Sequence, residues 1–410
     1  MTSERDHAFV WIWLPGASDP VVAGRIDATG ETIAFTYGRS YLDRKDAIPL
    51  YLPELPLAPG TIYPEGREIA GCIADAGPDS WGRRVLENKW SGDSSKRGEL
   101  GTLDYLLESG SDRIGALDFQ ASSDHYVART HDQATLEDLA ESAQRVESGL
   151  PLTPALDAAL LQGSSVGGAR PKALISRGER RMIAKFSSNT DTFAVVKGEF
   201  VAMELARRAG ICVANVELAS ALDKDVLLVD RFDRGTNGQR RAMVSALTIL
   251  GLDDIAGRYA SYADLAEEIR KRFNDPLDTL RELFARITFN ILVGNTDDHA
   301  RNHAAFWDGV ELSLTPAFDV GPQRRSGGEA QQIMAIGTDG TRWSRVVDCV
   351  EWSHVYGIFS KRNAREIIDG QIEVIKSEWL EVCELGRLTQ VERLSFWEVQ
   401  FLNPYALQGY

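Results

Sequence analysis

The chain has 410 residues, 43% of them hydrophobic and 26% charged, with a formal net charge of −15. That composition suits a soluble globular protein of two or three domains or subdomains, whose core needs no disulfide or metal staple. The acidic balance argues against a broad, nonspecific nucleic-acid surface, which would need clustered Lys and Arg.

Cys72, Cys212, Cys349 and Cys383 lie far apart and form no CxxC pair, so a zinc cluster is not expected and a reducing compartment is. The first residues, Met1 to His7, lack the basic-then-apolar layout of a signal peptide. No apolar run is long enough to span a bilayer, so the expected location is cytoplasmic, without a membrane partner. Three small basic clusters, at Arg177, Arg180 and Arg181, at Arg240 and Arg241, and at Arg324 and Arg325, read as solvated loop charges.

Along the chain, Phe9–Trp13 and Ile33–Tyr37 are dense in strand formers and flank a Gly30 turn. A Pro- and Leu-rich loop from Ile48 to Pro59 leads to Asp79–Glu87, which reads as a helix with an Asp or Ser cap. Leu103–Leu107 reads as helical and Ile114–Phe119 as a strand, and Thr135–Glu147 is a clear helix in a polar stretch. A soft boundary falls near Leu150. Beyond it, Lys172–Ser176 and Arg181–Phe186 are strands joined at Gly178, Glu199–Ala209 is an amphipathic helix stopped by Gly210, and Val226–Val229 is a buried strand. From about Thr248 the pattern is helical, with apolar residues at three- and four-residue spacing in Tyr262–Phe273 and Leu277–Leu292. The expected fold is α+β and bilobal, of kinase-like layout. Residues 1–150 form a β-rich N-terminal part with helices, 151–245 a nucleotide-binding part, and 246–410 a helical lobe.

The strongest chemical signal is Asn295-Thr-Asp-Asp-His-Ala-Arg-Asn302, which follows a helix and precedes the strand Ala304–Trp307; Phe318-Asp319 comes later. Phosphoryl transfer needs a carboxylate to orient and deprotonate the attacking hydroxyl, and oxygen ligands to hold magnesium on the phosphates. Asp297 and Asp298 are both possible bases. Asp297 has the five-residue step to Asn302 that kinase loops use, so it is favoured, with Asp298 left as a loop or salt-bridge residue. Gln162-Gly-Ser-Ser-Val-Gly-Gly-Ala-Arg-Pro-Lys172 is a Gly- and Ser-rich stretch before a strand; it reads as a phosphate cradle or a flexible linker. Lys185, mid-strand among apolar residues, reads as a phosphate lysine paired with Glu199, or as an edge lysine reaching water. Leu227–Arg234, a buried strand entering a charged turn, is the candidate adenine hinge or a plain strand exit.

These residues together resemble the HipA family of toxin kinases along nearly the whole chain. The resemblance rests on Ser165-Val-Gly-Gly-Ala-Arg-Pro-Lys172, Lys185, Val229–Arg234, Thr296–Asn302 and Thr315–Asp319, with Ala76–Ser80 and Glu108–Ala116 upstream. It implies a serine/threonine kinase using ATP and Mg2+. Asp297 would be the base and His299 would stand near the γ-phosphate. Asn302 and Asp319 would be the metal ligands. Ser165, Val166, Gly167, Gly168, Ala169, Lys172, Lys185, Glu199, Asp230 and Phe232 would line the nucleotide. Ser165, or its neighbour Ser164, would be autophosphorylated, placing a dianion in the phosphate-cradling loop. The resemblance also implies a small helix-turn-helix antitoxin, similar to HipB, that contacts operator DNA. The protein substrate would be an aminoacyl-tRNA synthetase, typically the glutamyl enzyme. Here Ala169-Arg-Pro stands where the family's familiar Ala-Gln-Glu would be, which bears on the target. Competing readings are a catalytically quiet antitoxin scaffold or co-repressor, and a small-molecule phosphotransferase.

Overall fold

Strand formers alternate with polar residues through the first forty positions, and in the computed structural model they pair as an antiparallel sheet. The structure describes residues 5–91, 100–129, 134–153, 156, 160, 168–325 and 328–410. The chain divides into two compact units. Unit 1 holds the residues up to Thr190 together with Ala219–Val244 and Phe306–Val310; unit 2 holds Asp191–Leu218, Ser245–Ala305 and Glu311–Tyr410.

Unit 1 contains two sheets. In the first, β1 (His7–Ile12), β2 (Val21–Thr29), β3 (Thr32–Tyr37), β4 (Thr61–Ile62) and β5 (Leu117–Gln120) lie in the order β4-β3-β2-β1-β5. Val10, Ile12, Ile26, Phe35 and Phe119 are buried, each at most 1% exposed. β5 begins at Leu117 rather than Ile114. Gly115 has φ +76°, and its N–H and C=O bond Asp233 and Arg234 instead of a ladder.

The second sheet is built on β6 (Lys172–Arg177) and β7 (Arg180–Phe186), a hairpin turning at Gly178 with φ +61°. With β9 (Lys224–Asp230) and β8 (Val216–Ala221), of which residues 219–221 fall in unit 1, it has the order β6-β7-β9-β8. Helices α1 (Ser80–Ser91), α2 (Thr102–Glu108) and α3 (Leu136–Glu147) also belong to this unit. Trp81 and Val85 of α1, and Leu139, Ala143 and Val146 of α3, share one apolar cluster with Ala173, Met182, Ala184, Phe186, Val226 and Leu228. Each large apolar side chain so buried contributes about 1.5–3 kcal/mol before entropy is counted. The Trp81 indole donates to the Lys172 carbonyl at 2.9 Å, fixing α1 to the first residue of β6. Thr135 caps α3 by a reciprocal box with Asp138, at 3.1 and 3.0 Å.

Unit 2 is chiefly helical, with α4 (Val195–Arg208), α5 (Tyr262–Arg272), α6 (Pro276–Leu292), α7 (Lys361–Leu385) and α8 (Gln390–Phe396). Proline in the first turn of α6 and the Ser261 cap of α5 set their starts. Leu283, Phe284, Ile287, Phe289, Ile291 and Leu292 of α6 are buried almost completely, so the second half of this helix is a core element, while Leu277, Asp278 and Arg281 near its start face solvent.

Arg240, expected in a solvated loop, instead lies over the Trp13 ring at 3.6 Å while donating to the Ser111 carbonyl, whereas Arg180 stays exposed and pairs with Asp230 at 2.8 Å. Long side chains with planar heads bury well on aromatic faces, which charge counting does not register.

Candidate active site

Helix α6 ends at Leu292, two residues before Gly294, whose φ of +72° turns the chain into the loop 295–302. The Asn295 N–H returns to the Asn290 carbonyl at 2.8 Å, closing the helix in the left-handed manner that favours glycine. A Cβ at Gly294 would stand 2.7 Å from the Gln400 carbonyl oxygen. Gly294→Ala should therefore cost about 1–3 kcal/mol from backbone strain, lowering the urea midpoint of unfolding. An unchanged midpoint would mean that the turn relaxes without penalty.

In the loop the adjacent aspartates take opposite environments. Asp298 is 2% exposed. Its Oδ2 accepts from Tyr262 Oη at 2.6 Å, Asn290 Nδ2 at 2.7 Å and His303 Nε2 at 2.9 Å. Burial alone would raise the Asp298 pKa, but the His303 charge and the hydrogen bonds from His303 and Tyr262 outweigh it and hold the carboxyl below its usual range. Asp297 is exposed. Its carboxyl is pushed upward, first by partial desolvation in the packed loop, then by the charges of Asp319 and Asp298, against an opposing pull from His299.

Asn302 is buried, and its Nδ2 reaches the Asp297 main-chain carbonyl at 3.4 Å. That leaves the amide oxygen as the end suited to a cation. Asp319 has φ +61°, an uncommon conformation outside glycine that marks a locally constrained residue. The Asn302 amide and the Asp319 carboxylate each offer an oxygen of the hard type that magnesium takes. His299 is half-buried, and its Nδ1 meets no protein partner. A small cavity of about 10 Å3, at the lower limit for admitting one water, is lined by residues that include Asn290, Asp298, Asn302, His303, Phe318 and Val320.

The remaining candidates divide between the units. Ser164, Ser165, Val166 and Gly167 lie outside the described residues. In unit 1, Lys172 is buried and stands directly opposite Lys185 in the β6–β7 register, so two ammonium stems share one face. Gly168 has φ +113°, and a Cβ added there would collide with the Lys172 ammonium; Ala169 beside it is exposed. Asp230 ends β9, and Phe232 packs edge-on against Phe306 with centroids 5.9 Å apart. Glu199 is 5% exposed on α4, in unit 2.

Two buried ionic clusters in unit 1 have no local signature in the chain. Asp118, fully buried, accepts from Arg113 at 2.7 Å and Arg129 at 2.9 Å. Asp233 accepts from Arg231 at 2.7 Å, Arg234 at 2.9 Å and the Gly115 N–H at 2.8 Å, and Arg234 also binds Asp112 at 2.7 Å. The second cluster ties the turn after β9 to the loop 112–115. The only available signal was the density of alternating charge in Asp230–Arg234, which also fits a solvated turn.

Comparison with known proteins follows the same lines. A model described as the HipA-like C-terminal domain matches residues 164–379, and one described as the HipA N-terminal domain matches residues 17–120. Protein Y4mE of Sinorhizobium fredii is 29% identical over 147 residues, 34% of this chain and 33% of that protein. The serine/threonine-protein kinase toxin HipA of Shewanella oneidensis is 27% identical over 146 residues, 31% of this chain and 34% of that protein. The chain thus matches about a third of the length of these curated relatives. A chain of the Shewanella oneidensis MR-1 toxin–antitoxin complex of HipA, HipB and operator DNA superposes with a TM-score of 0.72 at 20% identity. That match covers 97% of this chain and 95% of the other, and establishes a shared α+β fold.

Proposed function

This chain belongs to the HipA family, and on that premise we propose that it is an ATP- and Mg2+-dependent serine/threonine kinase. The observation that carries the reading is the pair of aspartates. Asp298 is committed to three donors, while Asp297 is open, five residues before Asn302 and within electrostatic reach of Asp319. Asp297 would orient the attacking hydroxyl of a protein side chain and take its proton as the new P–O bond forms. Asn302 and Asp319 would hold magnesium, which when bound neutralises charge on the phosphates. His299 would donate toward the γ-phosphate region. In unit 1, Lys185 would meet the phosphates, with Lys172 and the stretch from Ser165 to Ala169 as their cradle. Asp230 and Phe232 would bound the adenine, and buried Glu199 would be the partner of the phosphate lysine.

The Shewanella complex supports a HipB-like antitoxin as partner, with operator DNA contacted through it. An aminoacyl-tRNA synthetase of the glutamyl type is the protein substrate proposed, in the cytoplasm. Among the described residues no helix is long and apolar enough to cross a membrane. The direct test is intact-mass spectrometry after incubation with ATP and magnesium, with fragmentation to locate phosphate. A phosphoryl increment on the chain or on an added synthetase is expected; none on either, in protein shown to bind ATP and to start unphosphorylated, would favour the scaffold reading.

The self-modification is separable from the transfer to substrate. A phosphate at Ser165 would place about −1.5 to −2 charges against the phosphate-cradling stretch and repel nucleotide. Ser165→Ala should therefore retain substrate phosphorylation and lose most self-incorporation. Undiminished incorporation would move the modified hydroxyl to Ser164.

A further inference from the structure

We propose that Asp298 is the positioning residue of the catalytic loop, acting through Tyr262, Asn290 and His303 to present Asp297. This inference rests on the kinase reading above for its catalytic consequence, but its geometric content stands separately. The three donors come from three places in unit 2: Tyr262 opens α5, Asn290 lies in the last two turns of α6, and His303 follows the loop itself. They converge on one oxygen, at 2.6, 2.7 and 2.9 Å, which is more than its two lone pairs can each serve singly. An ionised carboxylate only accepts, so His303 must carry its proton on Nε2. The Tyr262 ring meets the His303 ring edge-on, with centroids 5.7 Å apart and planes at 87°, which restrains the imidazole in that pose.

The loop is pinned on the other side of Asp297 as well. Asn295 Nδ2 donates to Asn290 Oδ1 at 3.1 Å, and Gln332 Nε2 donates to the Asn295 carbonyl at 2.9 Å. Asn290 thus holds both sides of the loop, its oxygen serving Asn295 and its nitrogen serving Asp298. Asp297 lies between these two anchors with its own carboxylate open, and Asn302 directly precedes His303. A bland structural role would need only that Asp298 be satisfied somewhere in the core. What points to positioning is that its partners bracket both the base and a metal ligand. A displacement of about 1 Å at such residues costs up to about 100-fold in rate without a change in binding.

The test compares Tyr262→Phe, His303→Ala and His303→Gln with the wild-type chain. A glutamine amide nitrogen can reach the place of His303 Nε2, whereas alanine leaves the oxygen without that donor. Turnover per folded molecule should fall about 10- to 100-fold in Tyr262→Phe and His303→Ala, with KM for ATP little changed, while His303→Ala, which empties a buried site, should also lower the melting midpoint. His303→Gln should recover most of the loss. Equal losses in the alanine and glutamine variants, or losses that follow the folded fraction, would overturn the assignment. Long-range 1H–15N correlation of the histidine rings supplies a readout that needs no activity. His303 should show its proton on Nε2, and the His299 signals should broaden or split in Tyr262→Phe. If the wild-type chain transfers no phosphate but these signals appear, the kinase reading fails and the positioning stands. A proton on Nδ1 alone, or His299 signals identical in both chains, overturns the positioning.

Discussion

Asp297→Asn should lower phosphoryl transfer by about 10²- to 10⁴-fold, the range a positioned general base supplies, while leaving nucleotide affinity nearly unchanged. The substitution keeps the shape of the side chain but removes its ability to accept a proton. The proposed metal ligands Asn302 and Asp319 and the phosphate lysine are untouched, so ground-state binding of ATP with magnesium has no reason to change. Single-turnover transfer alongside ATP titration by calorimetry separates the two quantities. The competing assignment, Asp298 as base, predicts the reverse. It would need a buried carboxylate, already accepting from Tyr262, Asn290 and His303, to give up those donors before it could meet a substrate. Wild-type turnover in Asp297→Asn would force that assignment despite its cost.

The choice between the two aspartates shows where legibility stopped. Spacing singled out Asp297, Asn302 and Asp319 together, because a loop proposed to hold a base and a metal ligand would need a fixed chain length between them. The partners of Asp298 were not visible. Tyr262 is 36 residues away, and only the packing of α5 beside α6 brings its hydroxyl to the loop. The elements with clean periodicity were read nearly in place. The helix of Leu277–Leu292 appears as Pro276–Leu292, and the hairpin around Gly178 keeps its turn. Ile114–Gly115 failed as strand because Asp233 and Arg234 claim the Gly115 backbone groups, a long-range effect that local propensity cannot register. The same holds for Arg240, expected in solvent: Trp13 lies more than two hundred residues from it in the chain, yet gives it an aromatic face.

Asp118→Ala should cost about 3–5 kcal/mol of stability, the largest effect expected of any single substitution outside the loop 295–302. Arg113 and Asp118 are both fully buried. Removing the carboxylate leaves the Arg113 guanidinium with carbonyl acceptors at Ala76 and Leu106 but no countercharge, and strips Gln120 and Tyr126 of the oxygen they share. The pH dependence gives an independent handle. Burial would raise the Asp118 pKa, but the Arg113 and Arg129 charges overcome it and hold the carboxyl below its usual range. A folded-state pKa below the unfolded value of about 3.9 adds stability that is complete at neutral pH and is lost as pH falls below about 5. Asp118→Asn removes that titration while keeping one oxygen acceptor. Its unfolding free energy should be lower than wild type at pH 7, and the gap should narrow toward pH 3. Urea unfolding followed by tryptophan fluorescence at several pH values measures both, since Trp11 and Trp13 flank Tyr126 in this unit. A gap that stays constant from pH 7 to pH 3 would mean that the Asp118 charge contributes nothing and that its shape alone fills the site.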